Sequence, residues 1–531
     1  MKHKPLGPSQ ELQSLDRKLA ALIARRSRLI GGISRDRQNK NKSFADPELE
    51  KKLWQIWKKE LQWVNPSLVR QAFTLLNSMG YFEAEQPLVD KPFCLYPSRR
   101  PLDEEFLGPL DQDLVRGLAS MAAICPRQSL LEGINVNDGL LELVKMANEC
   151  GAGLSWRSST LVGQGMTSVN LDRRSFFVEH SAFNFYFFLC LGLGHPCRVK
   201  FSGSAVLKTM NLRSLQNLLP SLGARLSSIE PQSYSLPAKL EAGGDIPEII
   251  VLPMDVDPEF VKALALAATT YPAALSISYS QDAQPAVESC LRVMSRCGLK
   301  AETRRNQDLT VYPGSPCLED IYDLPVDPLL TGFLLAMAKA GKGRVCVNGA
   351  WPKNCRKGEK ILHLLEASGL GIELDINRIV AVDKQPGPKP VFDLTDCPEI
   401  TPLVFSLALI REDPVPVKLL LPPASIHLDT AVDLLNLLGY NYSLDKDGLS
   451  ILNRKEAPEK SPVWTSPDPV WTLSYCLLSF KFPGVCLSNP GNLSSLWQGF
   501  WKLFTNLSPK KMQDNDEQSQ KSRRRIRIQG D

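Results

Sequence analysis

A helix that ends at a glycine and runs on into a strand recurs along this sequence. The clearest copy is ILHLLEASGLGIEL at residues 361–374, where apolar residues at helical spacing precede Gly369 and a β-like segment follows it. Glycine suits this junction because it enters the left-handed conformation that closes a helix without steric cost. Similar phrases place glycines about every 70 residues, at Gly151, Gly223, Gly298 and Gly439, and a further helix at 500–507 follows one period later.

Repetition with this period indicates supersecondary units that cannot bury their apolar faces alone. Each unit is predicted to contain a strand, a helix and two more strands, with period-2 apolar stretches such as RVCV at 344–347. Six units would assemble into two lobes of three, with a break near 314–323, where Pro, Gly and acidic residues cluster. The predicted fold class is α/β (α+β), two-lobed, and the cleft between the lobes is the default ligand site.

Composition restricts the compartment and the partners. The chain has 531 residues, 43% of them hydrophobic, and a net charge of +5, which is too mild to argue for nucleic acid. The longest apolar run, at 183–194, is too short to span a bilayer, and the N-terminus has no apolar signal core, so a cytoplasmic protein is expected. Thirteen scattered cysteines predict reduced thiols, and five scattered histidines predict no metal site.

Three helices are predicted before residue 82. Residues 11–37 carry Leu and Ile at a 3.6-residue period with basic residues between them, and helices at 44–62 and 65–79 follow. This pattern, and LDRKLAALIARRSRLI within it, resembles the type II (all-helical) chorismate mutase domain. In that family Arg, Lys and Glu side chains clamp chorismate, and the resemblance places Arg26, Arg37 and Glu50 at such positions.

Two other arginine positions of the mutase pattern are occupied by Ser9 and Leu49. Losing two guanidinium groups removes bidentate contacts to a dicarboxylate ligand. The N-terminal helices are therefore interpreted in two ways, as a mutase or as a docking or dimerisation arm. The resemblance implies a homodimer through these helices.

The repeated region resembles the EPSP synthase (3-phosphoshikimate 1-carboxyvinyltransferase) family of enolpyruvyl transferases. Four segments carry this resemblance, namely VDPLLTGFLLAMAKAGKGRVCVNG at 326–349, FDLTDCPEITPLVFSLAL at 392–409, SPDPVWTLSYCLLSF at 466–480 and SSLWQGFWKLF at 494–504. The resemblance implies transfer of an enolpyruvyl group from phosphoenolpyruvate to shikimate 3-phosphate, without a cofactor. It also implies four parts of the chain, namely a helical domain at 1–82, a first lobe at 99–316, a second lobe at 83–98 and 317–508, and a disordered basic tail at 509–531.

The resemblance assigns site residues position by position. Glu399 corresponds to the family's base, and Asp327 and Asp468 also fall on acidic positions of the family's motifs. Arg100 falls on a substrate-binding lysine position, and His427 falls on an arginine position.

Most other anion-binding positions are changed. Glu105 and Val206 stand where the family has arginines, and Ser495 stands where it has its last lysine. The phosphate loop at 179–186, EHSAFNFY, has lost its glycines and its arginine, and 257–259 places two carboxylates where a phosphate should sit. Two functions are therefore retained: a degenerate family member with a binding or regulatory role in aromatic biosynthesis, and a working transferase with a rebuilt site.

Overall fold

A computed structural model describes most of the chain. The described residues are 8–40, 46–64, 66–85, 92–97, 101–157, 159–165, 170–179, 181–204, 207–230, 233–304, 307–318, 324–353, 355–384, 391–411, 416–422, 425–446, 448–454 and 462–507. Arg100 and the tail after residue 507 lie outside the described residues.

The N-terminal part is helical, as predicted. Its helices are α1 (Pro8–Asn39), α2 (Pro47–Glu60) and α3 (Pro66–Glu85). Asp46 caps α2, because its carboxylate accepts the backbone N–H of Leu49 and Pro47 fills the first helical position. Ile30, Val69 and Phe73 are buried where α1 and α3 pack together.

Two short strands, β1 (Phe93–Cys94) and β2 (Asp103–Leu107), lead into the repeated region. The first lobe follows them with these elements: α4 (Gln112–Ile124), β3 (Ser129–Leu131), α5 (Asp138–Glu149), β4 (Leu154–Arg157), β5 (Thr160–Gly163), β6 (Ser175–Val178), α6 (Ala182–Leu193), β7 (Cys197–Gly203), α7 (Arg213–Leu218), β8 (Ala224–Ser228), β9 (Ala238–Ala242), β10 (Ile249–Val251), α8 (Pro258–Ala268), β11 (Leu275–Ser278), α9 (Gln284–Arg296), β12 (Ala301–Arg304) and β13 (Asp308–Val311).

The second lobe has the same style of alternation. Its elements are α10 (Pro328–Ala340), β14 (Arg344–Asn348), α11 (Arg356–Ala367), β15 (Leu370–Asp375), β16 (Arg378–Asp383), β17 (Val391–Asp393), α12 (Thr401–Ile410), β18 (Val417–Leu420), α13 (Ile426–Leu438), β19 (Tyr440–Asp445), β20 (Gly448–Arg454), β21 (Val463–Trp464), α14 (Pro469–Lys481), β22 (Cys486–Leu487) and α15 (Phe500–Asn506).

The described strands form six sheets, which agrees with six units. The four larger sheets have the orders β6-β7-β9-β8, β10-β11-β13-β12, β2-β14-β16-β15 and β17-β18-β20-β19. In each, the first two strands are parallel and the last two are antiparallel. Each unit was predicted to contain one helix, and this prediction was incomplete. A second helix connects the second strand of the unit to its last two strands, as α9 does between β11 and β12.

The recurring glycines take the predicted left-handed conformation. The φ angles of Gly151, Gly223, Gly298, Gly369 and Gly439 are 99°, 67°, 68°, 94° and 75°. At Gly223 a side chain would also collide with the backbone, because an added Cβ would lie 2.4 Å from the carbonyl oxygen of Asp245. The helix–glycine–strand phrase is therefore a real structural unit in five places.

The buried residues form two hydrophobic cores, one for each lobe. The first core runs from Leu114 to Leu324, and the second contains Val326 to Leu507 together with Leu95, Leu102 and Phe106. Because β2 pairs in parallel with β14, residues 101–107 pack with the second core, although the sequence assignment placed them in the first lobe. The chain crosses between the lobes twice at adjacent places, where Leu110 and Val326 form a β-bridge.

One prediction about the cysteines was wrong. Cys94 and Cys486 form a disulfide, because they lie directly opposite each other on the antiparallel strands β1 and β22. The two residues are 392 positions apart in sequence, so their pairing could not be seen from cysteine spacing. Among the described residues, no helix is both long enough and apolar enough to cross a bilayer.

Candidate functional site

The starts of α4, α5, α6 and α8 lie close together in the first lobe, and the starts of α4 and α10 meet at the crossing between the lobes. We call the helix starts of the two lobes the first-lobe surface and the second-lobe surface. In the first lobe, Asp111, Asn137, Ser181 and Asp257 cap α4, α5, α6 and α8 by accepting backbone N–H groups. In the second lobe, Asp327, Ser425 and Asp468 do the same for α10, α13 and α14. Helix N-termini carry unpaired N–H groups and a partial positive charge, so such a surface favours anions.

The first-lobe surface is held together by a cluster of paired charges. Asp113, in the first turn of α4, accepts hydrogen bonds from the ammonium of Lys262 on α8 and from the hydroxyl of Ser289 on α9. Arg116 lies 2.8 Å from Asp113 and 3.1 Å from Glu259, and its guanidinium also stacks on the ring of Phe183. This cluster, which we call the first-lobe charge network, joins three helices.

Electrostatics confirm that the network is strongly coupled. Burial would raise the pKa of Asp113, but the charges of Lys262 and Arg116 outweigh burial and hold it well below its usual range. Lys262 is only 1% exposed, so its ammonium depends on Asp113 for its charge partner.

The other polar groups of the first-lobe surface are also paired. Tyr186 donates a hydrogen bond of 3.1 Å to the carboxylate of Asp257, and burial, together with this nearby carboxylate, raises the pKa of the tyrosine. Arg292 of α9 lies 2.8 Å from Asp111. The cations near these helix N-termini thus have carboxylate partners within the protein.

The second-lobe surface brings three predicted residues close together. Trp471 donates its indole N–H to Nδ1 of His427 over 3.2 Å, and the charges of Asp468 and Glu399 act on the same imidazole. Desolvation outweighs those charges and lowers the pKa of His427, so its ring is neutral at physiological pH. Glu399 is exposed and accepts the thiol of Cys397.

Asp327 lies where the chain crosses between the lobes. One of its carboxylate oxygens accepts the backbone N–H groups of Leu329 and Leu330 at 2.9 Å each. Burial raises its pKa, and the charge of Lys357 counteracts this effect while Asp111 across the crossing adds to it. Asp468 likewise uses one oxygen to cap α14.

The expected pair of phosphate-repelling carboxylates has a different environment from the one predicted. Asp257 is a helix cap that also receives Tyr186, and Glu259 is neutralised by Arg116. Sequence reasoning missed Arg116, Lys262 and Arg292, because the pairs Arg116–Glu259, Lys262–Asp113 and Arg292–Asp111 join residues that are far apart in sequence. The sequence signal for Arg116 and Lys262 was a basic residue about one turn after the start of a helix. Such residues are common on solvent-exposed helix faces, so the signal was not specific.

The helical domain has a polar cluster of its own. Arg26 donates to the side chain of Asn77, Tyr81 donates to Glu50, and Arg37 lies 2.7 Å from Asp46. The space beside them is about 10 Å³, which is room for one water molecule and far below the volume of a typical ligand site. Within one chain, therefore, Arg26 and Glu50 come near each other, and Arg37 pairs with Asp46 at the edge of the same space. No room for chorismate is present beside these described residues.

The helical domain is fixed to the first lobe through α3. Arg70 stacks on Trp54 and lies 2.8 Å from Glu230, which is in the loop between β8 and β9. The helix also packs against the short 3₁₀ turn Leu207–Thr209 after β7. Both contacts lie at the end of the sheet where β6, β7 and β8 finish, next to the N-terminus of α6.

Comparison with known proteins agrees with this architecture. A sequence model of the EPSP synthase (3-phosphoshikimate 1-carboxyvinyltransferase) family matches residues 187–479, which is more than half of the chain. A 3-phosphoshikimate 1-carboxyvinyltransferase 2 of Halalkalibacterium halodurans is 20% identical over 432 residues, covering 79% of this chain and 96% of the relative. A 3-phosphoshikimate 1-carboxyvinyltransferase of Nitrosopumilus maritimus is 19% identical over 307 residues, covering 56% of this chain and 70% of the relative.

Solved structures share the fold. EPSP synthase from Acinetobacter baumannii superposes with a TM-score of 0.63 at 14% identity, covering 78% of this chain and 98% of that one. The enolpyruvyl transferase NikO from Streptomyces tendae superposes with a TM-score of 0.60 at 12% identity, covering 78% and 97%. The two-lobed architecture of six units and the extent of the sequence match lead to one conclusion. The chain belongs to the EPSP synthase family.

Proposed function

We propose that this chain is a catalytically degenerate EPSP synthase-family protein with a binding or regulatory role in the shikimate and chorismate pathway. The observation that carries the proposal is the first-lobe charge network. Arg116 and Lys262 already have Asp113 and Glu259 as partners. A substrate phosphate would have to displace these carboxylates or share their cations with them.

The family reaction makes demands that such a surface does not meet. Two substrates with phosphate and carboxylate groups must lose most of their hydration, and buried anions need charge-assisted partners. Each hydrogen bond to a charged group is worth about 1.5–3 kcal/mol, so the loss of five or six such partners removes on the order of 10 kcal/mol of binding. Neutral side chains and carboxylates at the changed positions cannot replace that energy.

The second-lobe surface supports the alternative that the protein is an active 3-phosphoshikimate 1-carboxyvinyltransferase. The reaction needs one group to take a proton from a hydroxyl and another to protonate a vinyl carbon. Glu399, His427 and Asp468 lie near one another and include both an exposed carboxylate and an imidazole. These groups could perform the proton transfers if the anions were held by other residues.

Complementation separates the two functions. The full chain is expressed in a bacterial strain that lacks its own EPSP synthase and is plated on minimal medium, with the Halalkalibacterium halodurans relative as the positive control. We expect no growth although the protein accumulates in the soluble fraction. Growth at the rate of the positive control would overturn the proposal and establish the active transferase.

We further propose that the helical domain is a docking and dimerisation arm. Six apolar residues of α1 are each at least 40% exposed: Leu12, Leu15, Leu19, Leu22, Leu29 and Ile33. They are spaced three or four residues apart, except that Arg26 takes the position between Leu22 and Leu29. This spacing is the seam of a coiled coil. An antiparallel second copy of α1, centred near Leu22, would place Asp16 opposite Arg28 and so add complementary charge.

Light scattering tests the arm. Wild type is expected at the mass of a dimer, Leu15→Glu with Leu22→Glu at the mass of a monomer, and the control Leu444→Glu, exposed on β19, at the mass of a dimer. A monomeric wild type would contradict the proposal. A chorismate-to-prephenate assay at high protein concentration separates the arm from a mutase, because only a mutase gives turnover that Glu50→Gln abolishes.

A further inference from the structure

The two lobes touch at a place far along the chain from the crossing segments. Asp138, in the first turn of α5 in the first lobe, accepts a hydrogen bond of 2.8 Å from the hydroxyl of Ser494 and one of 2.9 Å from the side-chain amide of Gln498. Both donors belong to the second lobe, in the segment just before α15. Each carboxylate oxygen of Asp138 therefore has one donor from the opposite lobe.

The donor segment is held rigidly by its own lobe. Trp497 and Phe500 are buried and their rings pack together, and the indole N–H of Trp501 donates to the carbonyl of Pro490 over 2.8 Å. Ser494 has a single hydroxyl proton that it divides between Asp138 and the carbonyl of Gly491, 2.9 Å away. The contacts of the described residues give the Gln498 amide no other acceptor, so this donor is directed at Asp138 alone.

The acceptor is equally well positioned. Asn137 caps α5 and also donates to the side chain of Gln112 at the start of α4, so the first turn of α5 is fixed to the neighbouring helix. The partial positive charge of the helix N-terminus stabilises the ionised carboxylate of Asp138. The carboxylate of Asp138 thus lies at the N-terminus of α5, where it accepts hydrogen bonds from the neutral side chains of Ser494 and Gln498 in the second lobe.

We propose that Asp138 is a built-in latch that keeps the two lobes closed in the absence of any ligand. The crossing segments, where the backbone N–H of Asp111 donates to Pro325 and that of Asp327 donates to Pro109, hold the lobes at one place. The Asp138 contact adds a side-chain attachment close to the first, because Asn137 bonds to Gln112, the residue after Asp111, and it restrains rotation of the lobes about the crossing. The proposal deepens the proposed function, because a cleft closed by its own carboxylate does not need substrate anions to close it.

Small-angle scattering and hydrogen exchange on the full chain test the latch. The variants are Asp138→Ala and, from the other lobe, Gln498→Ala, with Glu149→Ala as the matched control on the exposed C-terminal end of α5. We expect the scattering curve of wild type without ligand to fit the closed structure and to remain unchanged when shikimate 3-phosphate is added. Asp138→Ala should enlarge the radius of gyration and raise amide exchange in residues 490–499 about tenfold. Glu149→Ala should do neither.

The outcomes separate the latch from the proposed function. A wild type that is already open without ligand, or an Asp138→Ala protein that scatters and exchanges like wild type, would overturn the latch. If Asp138→Ala fails to fold, as judged by circular dichroism, Gln498→Ala alone must open the lobes or the latch is rejected. A closed wild type that nevertheless complements the synthase-deficient strain would retain the latch and reject the proposed function, whereas an open wild type that fails to complement would do the reverse.

Discussion

The facing surfaces of the two lobes use their polar residues differently. In the first lobe, Asp113, Arg116, Glu259 and Lys262 neutralise one another, so few charges remain for a ligand. In the second lobe, carboxylates such as Asp468 accept neutral donors from the protein itself, namely backbone N–H groups. The cations of the first surface are paired with carboxylates of the same lobe, whereas Asp468 on the second surface is paired with backbone N–H groups.

This difference teaches that one architecture can weaken its attraction for anions in two physical ways. Pairing cations with carboxylates of the protein, as in the first-lobe charge network, stabilises the fold and reduces the attraction of those cations for a ligand. A neutral imidazole such as that of His427 attracts an anion less than a cation would and adds little stability. The two surfaces should therefore respond very differently to mutation.

The largest expected effect is the loss of stability when the first-lobe charge network is broken. Asp113→Ala leaves the ammonium of Lys262, which is 1% exposed, without its carboxylate. Breaking a buried pair costs about 3–5 kcal/mol, and we expect about 3 kcal/mol because water still reaches Asp113. Urea denaturation of the full chain measures this change.

The matched control lies in the second lobe. Asp396 pairs with Arg356 and Lys360, and the side chain of Arg356 is 81% exposed. Asp396→Ala should therefore cost less than about 1 kcal/mol. Equal losses for the two variants would show that the lobes do not differ as described.

A smaller loss of stability is expected where the helical domain contacts the first lobe. This contact is a further difference between the lobes. The pair Arg70 and Glu230 is partly exposed, at 18% and 38%. A double-mutant cycle with Arg70→Ala and Glu230→Ala should give a coupling energy of about 0.5–1 kcal/mol in the same denaturation experiment. A coupling energy near zero would mean that α3 is held by its apolar contacts alone.

The smallest effect concerns the pH dependence of the second-lobe surface. Because burial lowers the pKa of His427 below its unfolded value of about 6.5, the folded protein prefers the neutral ring. The stability that His427 contributes is therefore present above pH 6.5 and is lost as the pH falls towards the folded pKa. Between pH 7.5 and 5.5, the melting temperature of wild type should fall more steeply than that of His427→Gln.

The exposed His363 on α11 provides the control for this titration. His363→Gln should keep the steeper slope of wild type over the same pH range. If His427→Gln and wild type had parallel melting curves against pH, the neutral, Trp471-bonded imidazole would be the wrong description of this surface.

The framework could be predicted from the sequence because its signals are local. A helix-closing glycine such as Gly439 and the strand after it lie within a few residues, so both the left-handed conformation and the repeat were predicted correctly. The three N-terminal helices were predicted correctly for the same reason, since their apolar period and the Asp46 cap are local features.

The pairing of charges could not be predicted, because it joins residues that are far apart in sequence. Lys262 meets Asp113 across 149 positions and Arg292 meets Asp111 across 181. Residue-by-residue resemblance predicts which of the family's cations are missing, but it does not reveal cations at other positions or the acids that neutralise them. The membership of β2 in the second core was missed for the same reason, since Asp103 of β2 pairs with Arg344 of β14, 241 residues later.

The central claim is that the surface between the lobes no longer holds the family's anionic substrates. Isothermal titration calorimetry of the full chain with shikimate 3-phosphate, at pH 7 and low ionic strength, tests it most directly. The account predicts no saturable heat up to millimolar ligand, both for wild type and in the presence of phosphoenolpyruvate. Saturable binding with a micromolar dissociation constant would contradict it.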